Sequence, residues 1–195
     1  MATGTEVLNA GRGEHIVLFY QDEHELAVRV NEYLLPAVTD GGGAAIVIAT
    51  PDHRRSFEEH LAGAGADVAA ARARGSYLEL DANETIRRFM TGDRPDPAAF
   101  WQVISPLLRQ AAGQPVRVFG EMVSLLWDAG LVNAAIEVEV MWNEVGGQGR
   151  FSLLCGYPAR PVTCSHYLDA LTEVCRAHTE VTGSPPDPEL AHPCS

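Results

Sequence analysis

One rhythm constrains this chain more than any single motif. Five short apolar runs, His15–Tyr20, Ala44–Ala49, Tyr77–Leu80, Val116–Phe119 and Phe151–Cys155, recur with helical patterns between them. Runs this short and this continuously apolar suit strands buried on both faces, which parallel sheets require. Strands alternating with helices build βαβ units. The expected fold is therefore α/β, an open and mostly parallel five-stranded sheet flanked by helices.

The helices are well punctuated. Asp22 with Glu25 three residues later reads as a capping box, opening the stripe Leu26, Val30, Tyr33 and Leu34. Thr50-Pro51 and Asp96-Pro97 each set a capping residue before a proline suited to the first helical position. Asp81 with Glu84 repeats the box, Gly92 and Gly113 stand where helices should stop, and Pro36 should end or kink the first one. Helical spacing continues over 121–145 with a break near Gly130, and a last helix is expected over 164–181. One domain over 14–181 follows, preceded by a flexible segment, 1–13, and followed by a flexible tail, 184–195, that holds four prolines.

Charge and composition exclude several function classes. The net charge is −12 and the Arg pairs are interrupted or countered by acids, so neither nucleic acid nor an anionic membrane is an expected partner. All 14 basic residues are Arg. Without lysine the chain has no side-chain amine for a Schiff base and no Walker A lysine. No signal peptide or membrane-length apolar run is present, and a cytoplasmic location is expected. Cys164 and Cys175, on one expected helix roughly 16 Å apart at 1.5 Å per residue, cannot bridge each other. No Cys or His pair has metal-ligand spacing, so neither a metal nor another cofactor is expected.

In open parallel sheets ligands bind at the carboxyl ends of the strands. That rule points to Tyr20, His53, Glu121, Cys155 and Tyr157 as candidate ligand-binding residues. Glu121 follows an apolar strand and Gly120, and either meets a ligand or caps the next helix. Cys155 either lines a pocket or packs as a small hydrophobe. His53 stands in the first turn of a helix at a loop end. His15, at the opposite edge, and His178, on an apolar helix stripe, read as structural. The three tryptophans read mainly as core, with Trp142-Asn143 able to wall a pocket. Glu137, Glu139 and Glu144 read as a solvated face.

Several stretches together resemble a MEDS domain, a sensory domain typified by a dichloromethane-responsive repressor. They are HIVLFY from His15, AIVIATP from Ala45, FGEMVSLLW from Phe119, MWNE from Met141 and FSLLCGYP from Phe151. The resemblance covers about 14–181. It implies a RecA/KaiC-like sheet descended from an ATPase, with Glu121 near the former Walker B carboxylate. Here the first loop is acidic, Tyr20-Gln21-Asp22-Glu23-His24-Glu25, where a phosphate cradle needs backbone NH groups and positive charge.

The resulting expectation is a non-catalytic sensory domain. It would bind a small, apolar molecule and relay to a partner protein, a histidine kinase or transcription-control system, with homo-oligomerisation open. Two other readings compete. One is a ligand-free interaction module in a sigma-factor partner-switching pathway. The other is a hydrolase or transferase using Glu121 or Cys155, which a histidine within hydrogen-bond reach of Cys155 would favour.

Overall fold

The computed structural model describes residues 11, 13–39, 42–147, 151–159 and 165–185. Strands and helices alternate as β1 (His15–Tyr20), α1 (Glu23–Val38), β2 (Ala44–Ala49), α2 (Pro51–Gly63), α3 (Val68–Ala73), β3 (Tyr77–Asp81) and α4 (Ala82–Phe89). A two-residue hairpin follows, β4 (Met90–Thr91) and β5 (Arg94–Pro95), then α5 (Pro97–Gln110) and β6 (Val116–Gly120). The chain continues through α6 (Met122–Asp128), α7 (Val132–Gly146), β7 (Phe151–Pro158), α8 (Ser165–Ala177) and β8 (Glu180–Gly183).

The main sheet is parallel throughout, in the order β3-β2-β6-β7-β1-β8. It has six strands, not five. The helical spacing that reaches His178 hides a short β-branched run, Thr179 to Thr182. The helix stops at Ala177, and the run pairs with β1 as an edge strand. Gly183 closes that pairing at φ +78, where an added Cβ would lie 1.9 Å from the Phe19 carbonyl oxygen. Only glycine permits so close an approach.

Strand alternation sends side chains to two separate cores. Ile16, Leu18, Tyr20, Val47 and Phe119 pack against α1 and α2. Val17, Phe19, Ile48, Val118, Leu153, Cys155 and Tyr157 pack beneath α4 to α8. Asp22, Asp81 and Asp96 cap as expected, each accepting a backbone N–H of the turn it begins, whereas Thr50 stands at the start of α2 without a side-chain cap bond. Pro36 lies in the last turn of α1, two residues before its end. Trp142 is buried, whereas Trp101 is 47% exposed on α5, against expectation. No described helix is long and apolar enough to cross a membrane. Cys164, residues 1–10 and residues 186–195 lie outside the described part, and with them most of both expected flexible segments.

Candidate functional site

The five candidate residues do not form one pocket, because the sheet divides them. Tyr20 belongs to the core on the α1/α2 side, and His53 sits on α2. Cys155 and Tyr157 lie on the opposite face, beneath α6 to α8. Glu121 stands between the two groups, at the carboxyl end of β6.

At that carboxyl edge, Glu121 occupies the N-cap position of α6 without capping it. Its buried carboxylate instead accepts the Thr50 backbone N–H at 2.7 Å and the Thr50 hydroxyl at 3.4 Å. Nδ1 of His53 lies 2.8 Å from Oε1 of Glu121, and Nε2 of His53 meets Glu23. Burial alone would lower the His53 pKa; Glu121 and then Glu23 outweigh it and raise the group to about 9. The carboxylate thus fastens the start of α2 to β6. The loop after β1 is filled from within as well, since Asp22 accepts the Glu25 N–H and Glu25 accepts the Gln21 N–H. The backbone donors an anion would need are taken by carboxylates.

The second constellation was not legible as a site. Glu139, expected on a solvated face, is 0% exposed. It lies four residues after Ala135 and three before Trp142, both buried, and so on the inward stripe of α7. That spacing was the available signal. Glu139 accepts the Tyr157 hydroxyl at 2.8 Å and the Cys155 thiol at 3.3 Å. Nε2 of His15 is 3.1 Å from the same carboxylate, and Nε2 of His178 is 3.5 Å from it. The two imidazole rings lie 4.0 Å apart between centroids. Strand β1 supplies His15, β7 supplies Cys155 and Tyr157, and the end of α8 delivers His178.

The charges follow from this enclosure. Burial would raise the Glu139 carboxyl; His178 and His15 bring it below the usual range, so it is ionised near neutrality. Burial pulls His178 below its ordinary value, against the opposing pull of the Glu139 charge. Cys155 has the nearby histidine that nucleophilic chemistry would need, at 3.4 Å from Nε2 of His15. Yet burial and then the Glu139 charge push its thiol well above the ordinary range. A fully enclosed, protonated thiol is a poor nucleophile. Tyr157 is shifted upward for the same two reasons and stays a hydroxyl donor.

Next to this cluster a cavity of about 140 Å³ opens at the amino end of β1, between α7 and β7. His15, Trp142, Asn143, Phe151 and Leu153 are among its walls. The Trp142 indole N–H is buried and has no hydrogen-bond acceptor among the described residues.

Comparisons with known proteins agree with this architecture. Among solved structures, a KaiC-like protein from the hyperthermophilic archaeon Pyrococcus horikoshii superposes with a TM-score of 0.52 at 10% identity. The match covers 76% of this chain and 65% of that one, so this chain spans just under two thirds of that protein's length. At such identity the likeness is one of fold, a KaiC-like RecA sheet. No curated protein matches. A family model matches residues 14–179, nearly all of the ordered sheet and its helices, and the chain belongs to the MEDS family, the MEthanogen/methylotroph, DcmR Sensory domain.

Proposed function

We propose that this domain senses a small, largely apolar molecule and relays its presence to a signalling partner protein, a histidine kinase or transcription-control system, without catalysing a reaction. The observation that carries this reading is the cavity beside Glu139. Its walls combine Trp142, Phe151 and Leu153 with three polar residues, Glu14, His15 and Asn143. Apolar surroundings with a few placed polar groups are the usual make-up of a small-molecule site. At about 140 Å³ it matches the size of cavity that holds a benzene-sized molecule, roughly 150 Å³. His15 borders both the cavity and the buried carboxylate, so a guest touching the ring would perturb four elements that meet there.

Catalysis fits the geometry poorly. The Glu121 carboxylate is engaged by Thr50 and His53, and the Cys155 thiol is enclosed and protonated. A ligand-free interaction module is the second reading. It is favoured by the exposed Trp101 beside a groove of about 360 Å³ lined by Ser105, Leu108, Arg109, Val116 and Val145.

The sensing reading is tested by thermal-shift and calorimetric screening of small apolar and halogenated compounds, alone and against Gly146→Leu. A Cβ at Gly146 would stand 3.6 Å from the Phe151 ring, so a leucine there narrows the cavity without a backbone clash. A binder at 100-fold its dissociation constant stabilises by about 2.7 kcal/mol. That gain is expected in the native chain and lost in the variant. No binder in the native chain, or equal binding by a folded Gly146→Leu protein, would overturn the proposal.

A further inference from the structure

The orientation of two histidines leads beyond sensing. Asn143 donates through Nδ2 to the Ala177 carbonyl oxygen at 2.8 Å, which fixes the sense of its amide. Its Oδ1 is then an acceptor for Nδ1 of His15 at 2.9 Å. Nδ1 of His178 points at the Val174 carbonyl oxygen at 2.6 Å. A carbonyl oxygen only accepts, so both Nδ1 atoms carry hydrogen. Nε2 is therefore the atom of each ring left to face the Glu139 carboxylate, and in both rings it does so. His178 Nε2, its side chain 0% exposed, makes no hydrogen bond there. A cation placed between the two Nε2 atoms and the carboxylate would find donor atoms on every side.

We propose that His15, Glu139, Cys155 and His178 form a binding site for a divalent transition-metal ion, with zinc the ion that the donor set favours. Two imidazole nitrogens, a thiolate and a carboxylate are all ordinary zinc ligands. Bonds of about 2.0–2.3 Å in a tetrahedron place ligand atoms roughly 3.3–3.8 Å apart. Nε2 of His15 is 3.1 Å from the Glu139 oxygen and 3.4 Å from the Cys155 sulfur, and that sulfur is 3.3 Å from Glu139. Nε2 of His178 lies 3.5 Å from Glu139, and all four donor atoms are within 4.8 Å of one another.

Charge and outer contacts support the assignment. The ion displaces the Cys155 thiol proton to solvent, and thiolate plus carboxylate then balance its two positive charges. A site neutral overall suits a dry interior. Each ligating ring donates its far N–H to a carbonyl-type oxygen, and Tyr157 donates to the Glu139 carboxylate. That is the pattern of outer contacts that orients metal ligands. Four protein ligands would make a closed, structural site joining β1, α7, β7 and the end of α8. Spacing along the chain shows none of this, since the ligands come from four separate elements. The proposal does not depend on which molecule the domain senses.

The full chain, stripped with chelator, is titrated with Co²⁺ and then Zn²⁺, alongside Cys155→Ser and Glu139→Gln. One equivalent of Co²⁺ should give the intense visible bands of tetrahedral coordination with a thiolate charge-transfer band, and Zn²⁺ should displace it. Folded Cys155→Ser should lose the charge-transfer band. Its zinc affinity should fall at least about 100-fold, beyond the 10–100-fold typical of losing an outer contact. The proposal is overturned if the native chain shows no tetrahedral cobalt spectrum. It is equally overturned if the bands persist unchanged in folded Cys155→Ser, which would place the ion elsewhere. Cys155→Ser keeps the question answerable should Glu139→Gln fail to fold.

Discussion

The carboxyl edge of the sheet and the interior beneath α7 use the same residue types to different ends. At the edge, Glu121 and His53 meet where water is near, and their charges are matched by partners at the start of α2. In the interior, Glu139 has no water to share its charge and relies on Tyr157, Cys155, His15 and His178. An ion pair near the surface is a modest fastening, whereas a buried carboxylate makes every neighbour dependent on it. The chain thus places its most demanding polar chemistry in the core and not at the strand ends. A structural role alone would be served as well by apolar residues of similar volume.

Replacing Glu139 should break the comparison most visibly. Glu139→Ala strips the partner from two buried donors and leaves both histidines facing a void. Loss of one member of a buried charged network costs about 3–5 kcal/mol. Urea denaturation should show that loss, and a change under 1 kcal/mol would mean that the cluster is loosely held.

A smaller effect is expected at the edge. Glu121→Gln keeps an acceptor for the Thr50 N–H but removes the charge facing His53. The expected cost is about 1.5–3 kcal/mol, the range for a hydrogen bond to a charged group. Its pH dependence is the sharper test. A histidine whose pKa rises on folding, here from 6.5 to about 9, contributes stability that is fully present below pH 6.5. That contribution disappears as the pH rises through about 9. Denaturation midpoints of the native chain should decline across this window, and Glu121→Gln should flatten the decline. An unaltered profile in the variant would show that Glu121 does not hold the His53 proton.

The smallest change is expected at Glu137, two residues from Glu139 on the same helix but facing Arg94 in a more exposed pair at 3.3 Å. Glu137→Ala should alter stability by no more than about 0.5 kcal/mol. A loss comparable to that of Glu139→Ala would mean that α7 does not separate its two acids into different environments.

Much of the fold was legible because it rests on local patterns. Continuously apolar runs marked the five longer strands, and Asp22, Asp81 and Asp96 marked helix starts through bonds only two or three residues away. The edge strand β8 was not legible, because four largely exposed residues next to a helix carry no burial signal of their own. Trp101 misled for a related reason: an aromatic on a helix declares no face until its neighbours are in place.

The sequence by itself determined a parallel α/β sheet, an acidic first loop that cannot cradle a phosphate, and membership of a family of sensory domains. Those properties follow from period, capping and charge, which act over a few residues. Only the tertiary structure decided that the sheet separates Tyr20 and His53 from Cys155 and Tyr157, and that His15, Cys155 and His178 are the groups Glu139 meets. Proximity among groups up to 163 residues apart, as His15 and His178 are, depends on strand order and helix docking. Neither leaves a spacing in the chain that could be read beforehand.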